Sequence, residues 1–245
     1  SGDRNYQTMV YCHSSDDPRP AWTGSCSCPV GTDCKHAVAV LLTARRQAVP
    51  APVRAGSGWE GALTDLLRVG RQPAAYEDDE ATAALAAELG LSFEGRPPFG
   101  ANDRESAQHL QDSLNRAKFL LAFSTSVSPA PYTHPTKEYI TGRWTDALAS
   151  GVTVVGKVPN TTTVREILWD GATIDIDHAD ARAGLTQVAD AASRWTPSQG
   201  EQQIRQALQH LDWRHRFVQL CEAMGEVPAS LAADCEAMRA QYVQR

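Results

Sequence analysis

The chain has 245 residues, of which 42% are hydrophobic, 21% charged and 7% aromatic, and its formal net charge is −6. That make-up suits a globular protein of one or two domains. It lacks both the roughly 18 uninterrupted apolar residues of a membrane helix and the charged-then-apolar start of a secretory leader, so a cytoplasmic protein is expected. The acidic balance argues against a protein built mainly to hold nucleic acid. The charge is uneven, however: residues 1 to 70 hold 7 Lys/Arg against 6 Asp/Glu, and the remainder 16 against 23.

At the N-terminus, Tyr6-Gln7-Thr8-Met9-Val10-Tyr11 alternates as a strand does. The 6 cysteines are too sparse for a disulfide scaffold, and Cys26, Cys28 and Cys34 crowd together, far from Cys221 and Cys235. Crowding of that kind points to metal. Cys26, Cys28, Cys34 and His36 stand in a C-x-C-x5-C-x-H array. Three thiolates and an imidazole close a tetrahedral shell around Zn²⁺, and a closed shell is structural, because a catalytic zinc keeps a position for water. Pro29 and Gly31 suit a turn between the two ligand pairs, and Ala37 to Leu42 reads as an apolar helix carrying His36 in its first turn.

Trp22 to Pro29, the gap to Cys34-Lys35-His36 and the apolar helix resemble the SWIM zinc finger of bacterial remodeller-type helicases, over roughly residues 5 to 46. The resemblance implies a small ββα finger that contacts DNA or protein. Lys35, Arg45 and Arg46 form its local basic cluster, and so few charges give weak, salt-sensitive DNA binding, which leaves protein contact as open as DNA contact. Gly58 to Leu67 also resembles sequence that follows the finger in those helicases. There is no G-x-x-x-x-G-K-[ST] phosphate loop, so no motor is implied.

Residues 47 to 58, rich in Pro and Gly, read as a spacer, and the spacing suggests a short helix over 59 to 69. Tyr76 to Leu89 reads as a helix, with Glu77-Asp78-Asp79-Glu80 as a solvated face. The expected organisation is a finger at 1–46, a linker with short helices at 47–90 and an α/β domain at 91–245. In the last, Leu91 to Phe93 reads as a strand, Arg104 to Arg116 as a helix and Lys118 to Phe123 as a buried strand. A polar loop from Ser124 to Thr136 follows, then a helix ending at Gly151, the strand Val152 to Gly156 and the strand Ala172 to Ile176. Helices are expected around 179 to 193, 199 to 210, 213 to 224 and 229 to 243. This alternation predicts a parallel sheet covered on both faces, with ligands at the C-terminal strand ends.

Within 131 to 156, Glu138 and Asp146 lie eight residues apart, so on one continuous helix they share a side, whereas in a loop-then-helix arrangement Glu138 reaches further out. Carboxylates accept paired hydrogen bonds from vicinal hydroxyls, and a helix N-terminus beside them suits phosphate. Glu138 and the run Asp146-Ala147-Leu148-Ala149-Ser150-Gly151-Val152-Thr153-Val154-Val155 resemble the E-x7-E segment in the C-terminal domain of GT-B glycosyltransferases. The resemblance implies a partial Rossmann-like fold of GT-B C-terminal type with C-terminal helices, retaining chemistry if the protein is active, and a nucleotide-diphosphate sugar as ligand. It gives Glu138 to the donor sugar and Asp146 to the ribose. Arg143 and the adjoining Gly142 fall beside the diphosphate, and His134 in the donor pocket. Asp146 stands where the family has Glu, and Thr153 where it has Pro. No counterpart of the family's diphosphate-holding Arg and Lys is expected between 59 and 90, and with no acceptor domain in view an acceptor-binding subunit is implied.

Three readings follow: a donor-binding module fused to a zinc finger, a non-catalytic zinc-binding interaction protein, and a joining of helicase and glycosyltransferase fragments. All three share the finger. Purified protein is expected to carry one zinc per chain, measured by elemental analysis. Cys34→Ser is expected to abolish that zinc and unfold only residues 5 to 46, because the metal supplies the folding energy of so small a unit. Serine at Cys12, Cys221 and Cys235 is expected to leave the zinc content unchanged.

Overall fold

Two short strands, β1 (Thr8–Cys12) and β2 (Trp22–Cys26), pair antiparallel with Thr8 opposite Cys26 and Cys12 opposite Trp22. They belong to the first of two units into which the chain divides, Ser1–Gly56 and Ser57–Arg245. The computed structural model describes residues 8–12, 22–26 and 63–242. Cys28, Cys34, His36, Lys35, Arg45 and Arg46, together with the helix expected after His36, lie outside the described residues. Cys26 is described as the last backbone position of β2.

The second unit is built on β3 (Thr64–Arg68), β4 (Phe93–Glu94), β5 (Ala117–Phe123), β6 (Thr153–Lys157) and β7 (Thr173–Asp175). Every pairing among them is parallel, in the spatial order β4-β3-β5-β6-β7. Between and after the strands come α1 (Asp79–Glu88), α2 (Asp103–Leu114), α3 (Gly142–Ala149), α4 (Thr162–Ile167), α5 (Ala181–Ser193), α6 (Pro197–His210), α7 (Trp213–Ala223) and α8 (Ala229–Tyr242). The α/β class with a parallel Rossmann-like sheet is therefore as expected. Among the described residues, no helix is long and apolar enough to cross a membrane.

Helices cover both faces of the sheet. On one face Leu67, Leu120, Ala122 and Val154 pack with Trp144, Ala147 and Leu148 of α3 and Ala207 of α6. On the other, Leu66, Phe119, Leu121, Phe123 and Val155 pack with Tyr76, Ala86 of α1, and Leu185 and Val188 of α5. Each fully buried Leu or Val contributes about 1.5–3 kcal/mol from burial. At the end of α3, Gly151 takes φ +86°, the left-handed conformation that lets a helix stop and feed the next strand at little steric cost.

Three sequence expectations are corrected. Thr64–Arg68 is a central strand and not part of a helix over 59–69. Leu66 and Leu67 are both fully buried, so the run shows no alternation, and a short apolar run cannot be told from a buried helix by period. Residues 63–90 consequently belong with the α/β unit and not with a linker, and the sheet begins before Leu91. The acidic run is exposed at Glu77, Asp78 and Glu80, as expected, but it is more than a solvated face. Asp78 caps α1 by accepting from the amides of Glu80 at 2.9 Å and Ala81 at 3.0 Å. Asp79 and Glu77 meet the buried Arg68 at 2.8 and 3.5 Å, supplying the charge that a guanidinium at 4% exposure demands.

β3 is tied to the edge strand by Asp65. Its carboxylate accepts from the Ser92 amide at 2.9 Å, the Ser92 hydroxyl at 2.8 Å and Lys118 Nζ at 2.6 Å. Burial alone would raise this carboxyl, but Lys118 and Ser92 outweigh it and hold it below the ordinary carboxylate range. A lowered folded-state value means the stabilisation is present above the unfolded value of roughly 3.9 and is lost as pH falls through the folded one. Asp65→Asn is expected to cost about 1–3 kcal/mol at pH 7 in urea unfolding, and the gap from wild type to close as pH falls through the lowered folded-state value.

Candidate functional site

In an open parallel sheet, ligand groups gather where the strand order reverses, because successive connections depart to either side and leave a crevice at the carboxyl ends. Here the reversal falls between β3 and β5. A crevice of about 310 Å³ lies there, lined by Arg71, Gln72, Pro73, Ala74 and Glu77 from the chain after β3 and by Val127, Ser128 and Pro129 from the chain after β5; the Glu77 carboxylate on this lining is turned to the Gln72 amide and to Arg68.

Two arginines meet at this point. Arg143, in the first turn of α3, donates from Nη2 to the Phe123 carbonyl at 3.1 Å, and its Nη1 lies 3.5 Å from the Val69 carbonyl. It thus spans the carboxyl ends of β5 and β3. Gly70, at φ +80°, makes room for it, since a Cβ there would overlap the guanidinium. Arg71 comes from the turn just after β3 and reaches Ser128 O at 3.4 Å and the Tyr132 hydroxyl. Burial first, and then the neighbouring Arg71, hold the Arg143 guanidinium below its ordinary value. Among the described residues neither cation has a carboxylate at ion-pairing distance, and the Nε of each is buried without a hydrogen-bond partner. Two unneutralised cations side by side, one largely desolvated, make a place for an anion.

The expected acids take different places. Glu138 precedes α3, in the chain before the helix cap Thr141, so the loop-then-helix arrangement is the one adopted. Its carboxylate accepts from the Asn160 amide at 3.0 Å. Burial raises it, but the Ser124 and Ser126 hydroxyls, the Asn160 amide and the charge on Lys157 outweigh that and hold it below the usual range. It therefore sits ionised over the ends of β5 and β6. Lys157 is itself paired with Asp175 at 2.8 Å, which extends the charged row to the end of β7.

Asp146 lies within α3. Desolvation raises its carboxyl, and no hydrogen bond or ion pair to its side chain is described, so it remains an available acceptor. Oδ2 would lie 3.7 Å from a Cβ on Gly142; the carboxylate thus leans toward the N-terminus of α3, as side chains on a helix do. Gly142 opens the helix and has no side chain to cover that end. His134 is exposed, and its Nδ1 accepts from the amides of Thr136 and Lys137, both at 3.1 Å. That geometry places its hydrogen on Nε2 and gives the ring a turn-forming role in the loop.

The structure therefore brings Glu138, Arg143 and Asp146 to the carboxyl rim of the sheet and adds Arg71, from the stretch Leu66 to Arg71, whose superficial likeness to the strand that carries the diphosphate-holding residues is outweighed in the sequence by its helix pattern. The signal was present: Val69-Gly70-Arg71 follows an apolar run directly, a strand-to-turn pattern hidden by assigning the run to a helix. Buried hydroxyls without partners on Thr125, Ser128 and Thr141 stand in the same loops.

In the first unit, Cys26 leaves the end of a hairpin strand, and the donor set that follows it in sequence has the chemistry of a closed zinc site. Residues 21–45 match the SWIM zinc finger family, a span that contains Cys26, Cys28, Cys34 and His36. Zinc binding and an interaction role for this segment follow from that match. Comparison with curated proteins found none that matches the chain.

Proposed function

We propose that the α/β unit binds a nucleotide-diphosphate sugar and that the zinc finger attaches it to DNA or to a protein partner. One observation carries the ligand reading. Arg71 and Arg143 stand near each other without a carboxylate at ion-pairing distance where the strand order reverses, and Arg71 lines a crevice in which the Ser128 hydroxyl also lacks a partner. In this assignment the two arginines hold the diphosphate, Asp146 the ribose hydroxyls and Glu138 the donor sugar. The lowered Glu138 carboxyl suits acceptance of hydrogen bonds from sugar hydroxyls. The sequence likeness to the E-x7-E segment of GT-B enzymes supports the same assignment, and the turn at Val69-Gly70-Arg71 supplies the arginine that the likeness otherwise lacked. Glycosyl transfer requires an acceptor-binding domain or subunit beside this one.

In the finger, Cys26, Cys28, Cys34 and His36 are the zinc ligands of this reading, and Lys35, Arg45 and Arg46 its basic contacts. A cluster that small implies weak DNA affinity that falls steeply with salt.

The test is a thermal-shift panel of nucleoside diphosphates and their sugars against wild type and the Glu138→Ala/Asp146→Ala double variant. A ligand at 100 times its Kd stabilises by about 2.7 kcal/mol. The expected result is a shift for one nucleotide that the double variant loses. A clean unfolding transition that no ligand moves refutes donor binding and leaves an interaction protein built on the zinc finger.

A further inference from the structure

The loop from Ser124 to Thr141 lends Val127, Ser128 and Pro129 to the crevice, and beyond them Tyr132 is held in an unusual way. Tyr132 is 81% exposed, so burial does not fix it. Its hydroxyl accepts from Arg71 Nη1, and the Arg71 guanidinium carbon stands 5.0 Å from the ring centre. The other hydrogen bonds described from Ala130 to Lys137 are local, joining Ala130 with Thr133 and His134 with Thr136 and Lys137. Behind the tip, the Ser128 side chain lines the crevice at 4% exposure, and its hydroxyl has no partner. A neutral phenol is thus the side-chain acceptor on a cation that has no carboxylate at ion-pairing distance among the described residues.

We propose that Tyr132 is a gate, occupying Arg71 Nη1 while the crevice is empty and yielding that donor to a phosphoryl oxygen when ligand binds, since two oxygens of one phosphoryl group engage neighbouring guanidinium N–H groups together. The bond to the phenol has one charged partner, whereas a phosphoryl oxygen brings a second, opposite charge and with it direct Coulomb attraction, so it displaces the phenol. Once Arg71 is taken, the contact joining the loop tip to the sheet edge is gone, and the tip is released. The buried Ser128 hydroxyl then gains a partner on the incoming group. The inference rests on the reading of the crevice as a phosphoryl site.

The test titrates the full chain with inorganic pyrophosphate, a probe independent of base and sugar, by calorimetry. Wild type is compared with Tyr132→Phe, which keeps the ring and removes the hydroxyl. Tyr132→Phe is expected to bind pyrophosphate about fivefold tighter, the worth of one competing hydrogen bond. In wild type, pyrophosphate is expected to speed amide hydrogen exchange over 129–137. Equal binding by both proteins overturns the gate and leaves the site standing. Weaker binding by Tyr132→Phe, or slower loop exchange on binding, overturns it by making Tyr132 a ligand contact. Absence of binding by either protein overturns the gate and the phosphoryl reading together.

Discussion

The second unit depends on the burial of its central strands on both faces. β5 is buried along its length except at Lys118, and its neighbours Leu66, Leu67, Val154 and Val155 are fully buried. No polar group can be presented from such strands without the cost of an unpaired buried donor or charge. Chemistry is therefore confined to the rims, and the parallel arrangement sends the connections after β3, β5, β6 and β7 to the same rim. Arg71, Glu138, Lys157 and Asp175 all stand there, and Arg143 reaches it from α3.

Charge at that rim is handled in two contrasting ways. Arg68 is buried and its charge is met by Asp79 at 2.8 Å and Glu77 at 3.5 Å, so it contributes to holding α1 against β3. Arg71, three residues on, and Arg143 have no such carboxylates among the described residues. The acidic surplus of the chain beyond residue 70 makes this contrast a matter of placement and not of supply. Acids were available, and they cap helices or bind other cations.

Much of the fold was legible because its elements carry strong periodic or compositional signals. The runs 118–123 and 152–156 were apolar and bounded by turn residues, and Gly151 marked a helix end. The four C-terminal helices followed their amphipathic spacing to within a few residues. The strand Thr64–Arg68 was not legible, since a strand buried on both sides loses the alternation that identifies a strand. The pairing role of the acidic run at 77–80 is hidden for a related reason: its partner, Arg68, is close in space but lies on that same strand. In the site, Glu138, Arg143 and Asp146 were marked by resemblance, whereas Arg71 and Tyr132 depend on a contact across 61 residues of chain that no local pattern announces. The zinc finger is the opposite case, since its four expected ligands, three Cys and one His, lie close together in sequence.

Arg143 and Asp146 stand three residues apart on α3, and Arg143 is anchored to carbonyls of two different strands. Positions so related lie about 5–6 Å apart at Cβ, and the anchoring prevents the helix from rotating or sliding without breaking those bonds. On the proposed reading α3 is a ruler. One helical turn sets how far a bound molecule's negative charge may lie from its hydroxyl pair, and molecules with another spacing can satisfy one residue or the other but not both.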